Sequence, residues 1–262
     1  MKSNTAIIVA ARDSYSDTWD AFFTLFFKYW PDCPYPVYLF SEKKIFLDHR
    51  VLPLIIENDP SESWGKQWEG RIRKAILQMN VEHFIVLHTD YFLSQKIDTD
   101  RILELEKILR QPDIGYIRLT PVPPPKLPYA PDKRLGIISK TDRYSISLQA
   151  TFWKKNIFEY FLVPHLNPGE YEIEGSKTSF NVPELFLSSK KGCAALPYVH
   201  GISKDTWQYD AIQLLRREGF QVNPNRKKEK LSGYLSRILY IKMLRYNLKV
   251  LRSYLHSKKI SL

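Results

Sequence analysis

Apolar and polar positions alternate along the first 120 residues in blocks of two different periods. The runs TAIIVAA (5–11), VYLFSE (37–42), RVLPLIIEND (50–59), HFIVLHTDYF (83–92) and IGYIRLT (114–120) are short and nearly continuously apolar, the pattern of strands buried on both faces. Between them, SDTWDAFFTLFFKYW (16–30), SWGKQWEGRIRKAILQMN (63–80) and DTDRILELEKILRQP (98–112) carry apolar residues at helical spacing. Ser16 or Asp17 and Asp98 or Thr99 serve as caps. Strand–helix alternation of this kind predicts an α/β fold with a mostly parallel central sheet flanked by helices.

The rhythm breaks at PVPPPKLPYAPDK (121–133). Its six prolines exclude regular structure and predict a long loop, a lid or a wall of a cleft. Beyond it, LGIISK (135–140) and YSISLQATFW (144–153) read as an antiparallel pair on a sheet edge. KNIFEYFL (155–162) reads as a helix and NPGEYEIEGSKTSF (167–180) as a polar, acidic stretch. VPELFLSS (182–189) opens a helix, CAALPYVHGI (193–202) gives a last strand, and WQYDAIQLLRREGF (207–220) a last helix of the body. The expected organisation is a body over 1–225, split into halves at 1–120 and 121–225, followed by a basic segment over 226–262.

Composition sharpens this picture at two points. The two cysteines, Cys33 and Cys193, exclude a disulfide framework or a Cys-rich zinc site and fit a reduced, cytoplasmic setting. The net charge of +11 is concentrated: thirteen of the 39 Lys and Arg lie from Arg216 onward, with only two of the 28 acids. The body is therefore neutral, and the end of the chain points to a phosphate-bearing partner. At 100° per residue, Lys242, Arg245, Lys249 and Arg252 form one stripe beside a broad arc of Leu, Ile and Tyr. This pattern suits a helix lying on an anionic membrane surface, and equally a helix packed on the body with a solvated basic edge. No apolar run is long enough to span a bilayer.

In open α/β sheets, ligands bind at the carboxyl ends of the strands. Arg12, Asp13, Ser41, Glu42, Asp59 and Asp90 fall at such ends and are expected to share one rim. Asp90 can hold a divalent cation that in turn holds a diphosphate, or it can cap a turn. P-loop, Gly-x-Gly-x-x-Gly, Gly-x-Ser-x-Gly and His-Glu-x-x-His motifs are all absent.

The ordered set ARDSYSDTWDAFFTLFFKYWPDCPYPVYLFSE, SWGKQWEGRIRKAILQM, FIVLHTDYFLSQKID, SISLQATFWKK and YEIEGS resembles bacterial glycosyltransferases of surface-polysaccharide (capsule or O-antigen) clusters, of the GT-A, nucleotide-diphospho-sugar type. The resemblance covers roughly residues 5–220. It implies a Rossmann-like donor half, a small antiparallel acceptor half, and glycosyl transfer from a nucleotide sugar to a glycan or lipid-linked acceptor. The enzyme would be peripheral, on the inner face of the cytoplasmic membrane, anchored through 226–262. Where that fold carries Asp-x-Asp, this chain has His88, Thr89 and Asp90. An imidazole ligates Mn²⁺ but suits Mg²⁺ poorly, so a divalent cation becomes optional. His200 matches the region of a third metal ligand.

The resemblance implies donor contacts from Arg12, Asp13, Asp59 and Asp90; Trp64 or Trp68 can stack on the base, and Arg71, one helical turn from Gln67 and Trp68, can reach a phosphate or ribose. It places an acid on the acceptor side, Glu174 ahead of Glu172, as base of an inverting transfer, with retention as the alternative; Gln149 can hydrogen-bond a sugar hydroxyl. Each has a plainer reading: core tryptophans, a solvated helix-face Arg71, a loop His200, surface glutamates. Two rival functions remain, a nucleic-acid-binding protein that uses the basic tail and a catalytically inactive sugar-nucleotide-binding relative. The neutral body shows no nucleic-acid module, so no nucleic acid is expected as partner.

Overall fold

The computed structural model describes residues 4–239, and every side chain among them except that of Trp64. In chain order the first part comprises β1 (Thr5–Ala10), α1 (Trp19–Tyr29), β2 (Val37–Ser41), β3 (Val51–Ile55), α2 (Trp64–Met79), β4 (His83–His88) and β5 (Tyr91–Leu93). There follow α3 (Thr99–Leu109), β6 (Ile114–Arg118), β7 (Leu127–Pro128), β8 (Leu135–Ile137), β9 (Thr151–Lys154), α4 (Lys155–Tyr160), α5 (Pro168–Thr178) and β10 (Leu185–Ser189). One large sheet has the order β3-β2-β1-β4-β9-β6-β10-β8-β7. Within it β1, β2, β3 and β4 are mutually parallel, and β6 is parallel to β10.

Helices cover both faces because successive strand residues point to opposite sides. Ala6, Ile8, Phe84, Val86 and Trp153 pack with Trp68, Ile72, Ala75, Ile76 and Met79 of α2, and with Phe158 and Tyr171. On the other face, Phe26, Trp30, Tyr35 and Phe152 form a chain of ring contacts beside α1. Under α3, Glu106 accepts from Thr5 Oγ1 (2.6 Å), Tyr35 Oη (2.8 Å) and Arg110 Nη2 (2.7 Å), so a buried carboxylate there is fully partnered.

Four elements differ from the sequence reading. The segments 135–140 and 144–153 do not pair with each other: β8 joins β10, while β9 lies between β4 and β6, antiparallel to both. Phe152 and Trp153 explain this, since both are fully buried on opposite faces and such a strand belongs in a sheet interior. VPELFLSS forms strand β10 rather than a helix, parallel to β6. YEIEGS lies in helix α5, which opens with a capping box of Asn167 and Glu170 and has Pro168 in its first turn. The proline-rich stretch is not a wall of the cleft described below. Its β7 ends the sheet at the edge farthest from β3, against β8. Gly136 permits that approach, since a Cβ there would sit 2.6 Å from Leu127 O.

The chain divides into two compact units, the first ending at Tyr198 and the second starting at Val199. In the second unit, Ile202–Ser203, Thr206–Trp207 and Lys227–Lys228 form a small sheet. The helix Tyr209–Arg217 buries Ala211, Ile212, Leu214 and Leu215 and gives way at Gly219, whose φ is +86°. Residues 231–239 are helical. Arg237 there pairs with Glu229 at 3.0 Å and Asp210 at 3.5 Å. The remainder of the basic segment, with Lys242, Arg245, Lys249 and Arg252, lies outside the described residues. Among those described, no helix is long and apolar enough to cross a membrane.

Candidate functional site

From β1 the chain steps outward to β2 and then β3, whereas β4 returns to the opposite side of β1. The carboxyl ends of β1 and β4 therefore diverge, and an α/β sheet opens a crevice at such a reversal. A cleft of about 250 Å³ lies there. Its walls are mostly apolar: Ala10 and Ala11 end β1, Phe40 lies near the end of β2, Trp68 comes from α2 and Pro168 from α5. Tyr15 joins them from the 3-10 turn Asp13–Thr18. The polar lining is Arg12, His88, Thr89 and Asp90. Trp68 is held edge-on against Tyr171 at 5.5 Å, so one aromatic wall is rigid.

Arg12 and Asp90 thus share a hollow. The other anticipated donor contacts do different work. Asp13 is committed to the backbone: its carboxylate accepts from the N–H groups of Glu42 (3.2 Å), Lys43 (3.1 Å) and Lys44 (3.0 Å). It ties the end of β1 to the turn after β2. Asp59 lies in an exposed turn, accepting from Ser61 N (2.9 Å) and Ser61 Oγ (2.6 Å), which holds its carboxyl below the usual range. Arg71 is a buried tie, neither a solvated helix residue nor a cleft-lining group. Nε donates to Ile56 O (2.8 Å), Nη2 donates to Ser41 O (3.1 Å), and the guanidinium lies 4.9 Å from the Phe40 ring. Burial pulls its pKa down, with Glu42 and Asp13 opposing. The side chain of Trp64 lies outside the described residues.

Next to Asp90 in the chain begins a second polar group. Tyr91 stacks on Tyr198 with ring centroids 4.3 Å apart and planes at 11°. Burial pushes the Tyr91 hydroxyl pKa well up, reinforced by Tyr198, Asp90 and Glu172. The Tyr198 hydroxyl donates to Gln149 Oε1. That contact occupies Oε1 and leaves the Gln149 amide Nε2 as a donor without a hydrogen-bond partner among the described residues. Glu172 Oε1 accepts from Ser147 Oγ (2.9 Å) and Leu148 N (2.7 Å). Glu174 does not share this face, because α5 is a helix and two residues turn it by about 200°. It faces solvent and pairs with Lys177 at 2.7 Å.

The anticipated metal set does not assemble from three donors. Among the described residues no three His, Cys, Asp or Glu side chains gather. His88 Nε2 lies 3.2 Å from Leu148 O. A carbonyl only accepts, so this contact assigns the proton to Nε2. His200 is an exposed residue at the end of Tyr198–His200, in the second unit. Asp90, on the cleft's polar side, fits at most a cation that completes its shell with ligand oxygens and water.

Sequence reasoning missed Tyr15, Phe40 and Pro168 as cleft walls, and the Tyr91–Tyr198–Gln149 chain. Phe40 was within reach of the strand-end rule. Pro168 was within reach of Asn-Pro-Gly-Glu, a helix-start signature. Tyr198 had no local signal, since it meets Tyr91 only through tertiary structure.

No family model matches the chain, and no curated protein matches it. Among solved structures it is similar to a cytidylyltransferase from Leptospira borgpetersenii serovar Hardjo-bovis, at 12% identity over 82% of this chain and 95% of that one, with a TM-score of 0.43. It is similar also to the mannosyltransferase PcManGT from Pyrobaculum calidifontis, solved in complex with GDP-Man and Mn²⁺. There the identity is 10% over 86% of this chain and 67% of that one, and the TM-score 0.49. A third is A197 from STIV, at 11% identity over 76% and 86%, with a TM-score of 0.41.

Proposed function

We propose that the β1–β4 cleft binds the nucleoside diphosphate part of an activated sugar and that the protein transfers the glycosyl group to a hydroxyl acceptor. The observation that carries this is the cleft's place and make-up: an aromatic-walled hollow at the strand-order reversal, with a cation, Arg12, and a carboxylate, Asp90, on its polar side. Phe40, Trp68 and Tyr15 line the hollow as its aromatic walls; stacking of a nucleobase on such a wall contributes roughly 1–3 kcal/mol. Arg12 supplies the positive charge that a diphosphate needs.

In the transfer, the bond from the anomeric carbon to the diphosphate oxygen breaks and a bond to the acceptor oxygen forms. The acceptor's proton passes to a carboxylate. Glu172 takes that role in place of Glu174: it lies on the Tyr91 side of α5, and its Oε2 accepts from none of the described residues. The electron pair leaves on the diphosphate, whose charge Arg12 offsets. A divalent cation would be held by Asp90 together with ligand oxygens and water, and would add Lewis-acid neutralisation of the diphosphate charge. A glycan or lipid-linked acceptor of bacterial surface-polysaccharide synthesis, met at the inner membrane face through the cationic segment 226–262, completes the reading. The charge excess on that segment supports it.

The test is release of nucleoside diphosphate from a panel of UDP-, GDP- and dTDP-sugars, with and without Mn²⁺ and with a glycolipid acceptor. Acceptor-dependent release from one class is the expected result. A second reading, sugar-nucleotide binding without turnover, draws on the histidine at position 88, and would give tight donor binding with no release under any condition.

A further inference from the structure

The segment Ser147–Gln149 has no regular secondary structure. No ladder of backbone hydrogen bonds fixes it, yet Ser147 and Leu148 are buried. Its position comes from side chains on either side. From α5, Glu172 Oε1 takes the Leu148 N–H and the Ser147 hydroxyl. From the end of β4, His88 Nε2–H is given to Leu148 O at 3.2 Å. One residue's peptide groups are thus gripped at both poles, by the two elements that also contribute His88 and Pro168 to the cleft. The next residue is Gln149, whose N–H donates to Ser147 Oγ (3.2 Å) and whose Oε1 is fixed by Tyr198.

We propose that His88 is a positioning residue: by donating to the Leu148 carbonyl it holds Ser147–Gln149 beside the cleft so that the Gln149 amide can donate to an acceptor hydroxyl. This deepens the transferase reading and rests on it for the identity of the acceptor. A carboxylate at position 88 could not make the contact, because it is an acceptor facing a carbonyl. An imidazole can, and its edge packing on Tyr91 at 5.0 Å fixes the ring in the donating orientation. The side chain that stands where a cation ligand is expected is therefore engaged with the protein's own backbone.

The two roles separate cleanly by substitution. His88→Gln keeps an N–H donor at comparable reach; His88→Asp supplies a good cation ligand and removes the donor. Amide hydrogen exchange over residues 145–151 reads the latch without any activity. Acceptor KM, donor Kd and kcat, each with Mn²⁺ or Mg²⁺, read its consequence. For His88→Asp we expect exchange and acceptor KM to rise by about tenfold, the order of one lost buried hydrogen bond, with donor Kd within about threefold of wild type. For His88→Gln all of these should stay within about threefold. The proposal is overturned if His88→Asp turns over as well as wild type, or better with Mg²⁺. It is overturned equally if His88→Gln loses cation-dependent donor binding while exchange is unchanged. Should His88→Asp not fold, His88→Asn, a donor too short to reach Leu148 O, must reproduce the exchange increase. If the wild type binds no nucleotide, the transferase reading falls, and the exchange comparison still decides the latch.

Discussion

The cleft and the segment that His88 joins to it are built in opposite ways. The side formed by β1, β2 and β4 consists of strand ends whose positions follow from a ladder of paired residues, Ile7 to Ala10 against Ile85 to His88. The segment Ser147–Gln149, joined to the cleft through His88, is irregular backbone held by side chains, chiefly Glu172 and His88. A scaffold of the first kind tolerates loss of a single side chain without moving its neighbours. One of the second kind does not, because each clamp sets the place of several groups. Mutations on the strand-end side should therefore alter affinity or chemistry locally, and those on the clamped side should alter ordering as well.

The largest expected effect is on the strand-end side. Asp90→Asn should lower turnover by about 10³-fold or more, the scale of removing a group that serves the departing diphosphate, with thermal unfolding unchanged. Activity within tenfold of wild type would detach Asp90 from the mechanism. Next, Glu172→Gln keeps an acceptor oxygen for Leu148 but removes the base. Its kcat should fall by about 10²–10⁴-fold with donor Kd retained and exchange over 145–151 unchanged, while Glu174→Gln stays near wild type. The reverse order would restore Glu174 as the base. Trp68→Ala removes both an aromatic wall and core volume. We expect about 3–5 kcal/mol lost in urea unfolding and weaker nucleotide binding in calorimetry.

A smaller effect separates clamp from chemistry in the strand-end region itself. Asp13→Ala removes the shared acceptor of three backbone N–H groups that water can reach in part and should cost about 0.5–1.5 kcal/mol of stability, with kcat little altered. The smallest is a pH effect at the far end of the sheet. Burial raises the Glu106 pKa, but hydrogen bonds from Arg110, Thr5 and Tyr35 outweigh it, and the folded-state value is net lowered from 4.5. Its stabilisation is therefore present above pH 4.5 and lost as pH falls through the lower folded value. Glu106→Gln should flatten the acid limb of the stability curve and leave the neutral limb parallel to wild type.

The same contrast governs what could be read from the chain. The parallel half was legible because apolar runs such as TAIIVA and HFIVLH report burial on both faces, and strand ends locate the crevice. Arg12 and Asp90 followed from that rule. Asp13 and Asp59 obeyed the same rule yet are engaged by nearby N–H and hydroxyl groups, which residue type alone does not reveal. Beyond residue 120 the order of strands in the sheet departs from the order in sequence, so β9 and β10 were misplaced. Sequence favoured Glu174 over Glu172, and the helix that separates them turns Glu174 toward Lys177. The Tyr198–Gln149 contact spans 49 residues, and no local pattern encodes it.

The most direct measurement is calorimetric titration of UDP, GDP, dTDP and CMP, with and without Mn²⁺, into the wild-type protein and into Trp68→Ala. The account predicts one-site binding of at least one of these nucleotides, weakened about tenfold or more in the variant. Absence of binding by all four, or equal affinity in wild type and variant, would contradict the assignment of the β1–β4 cleft as a nucleotide site.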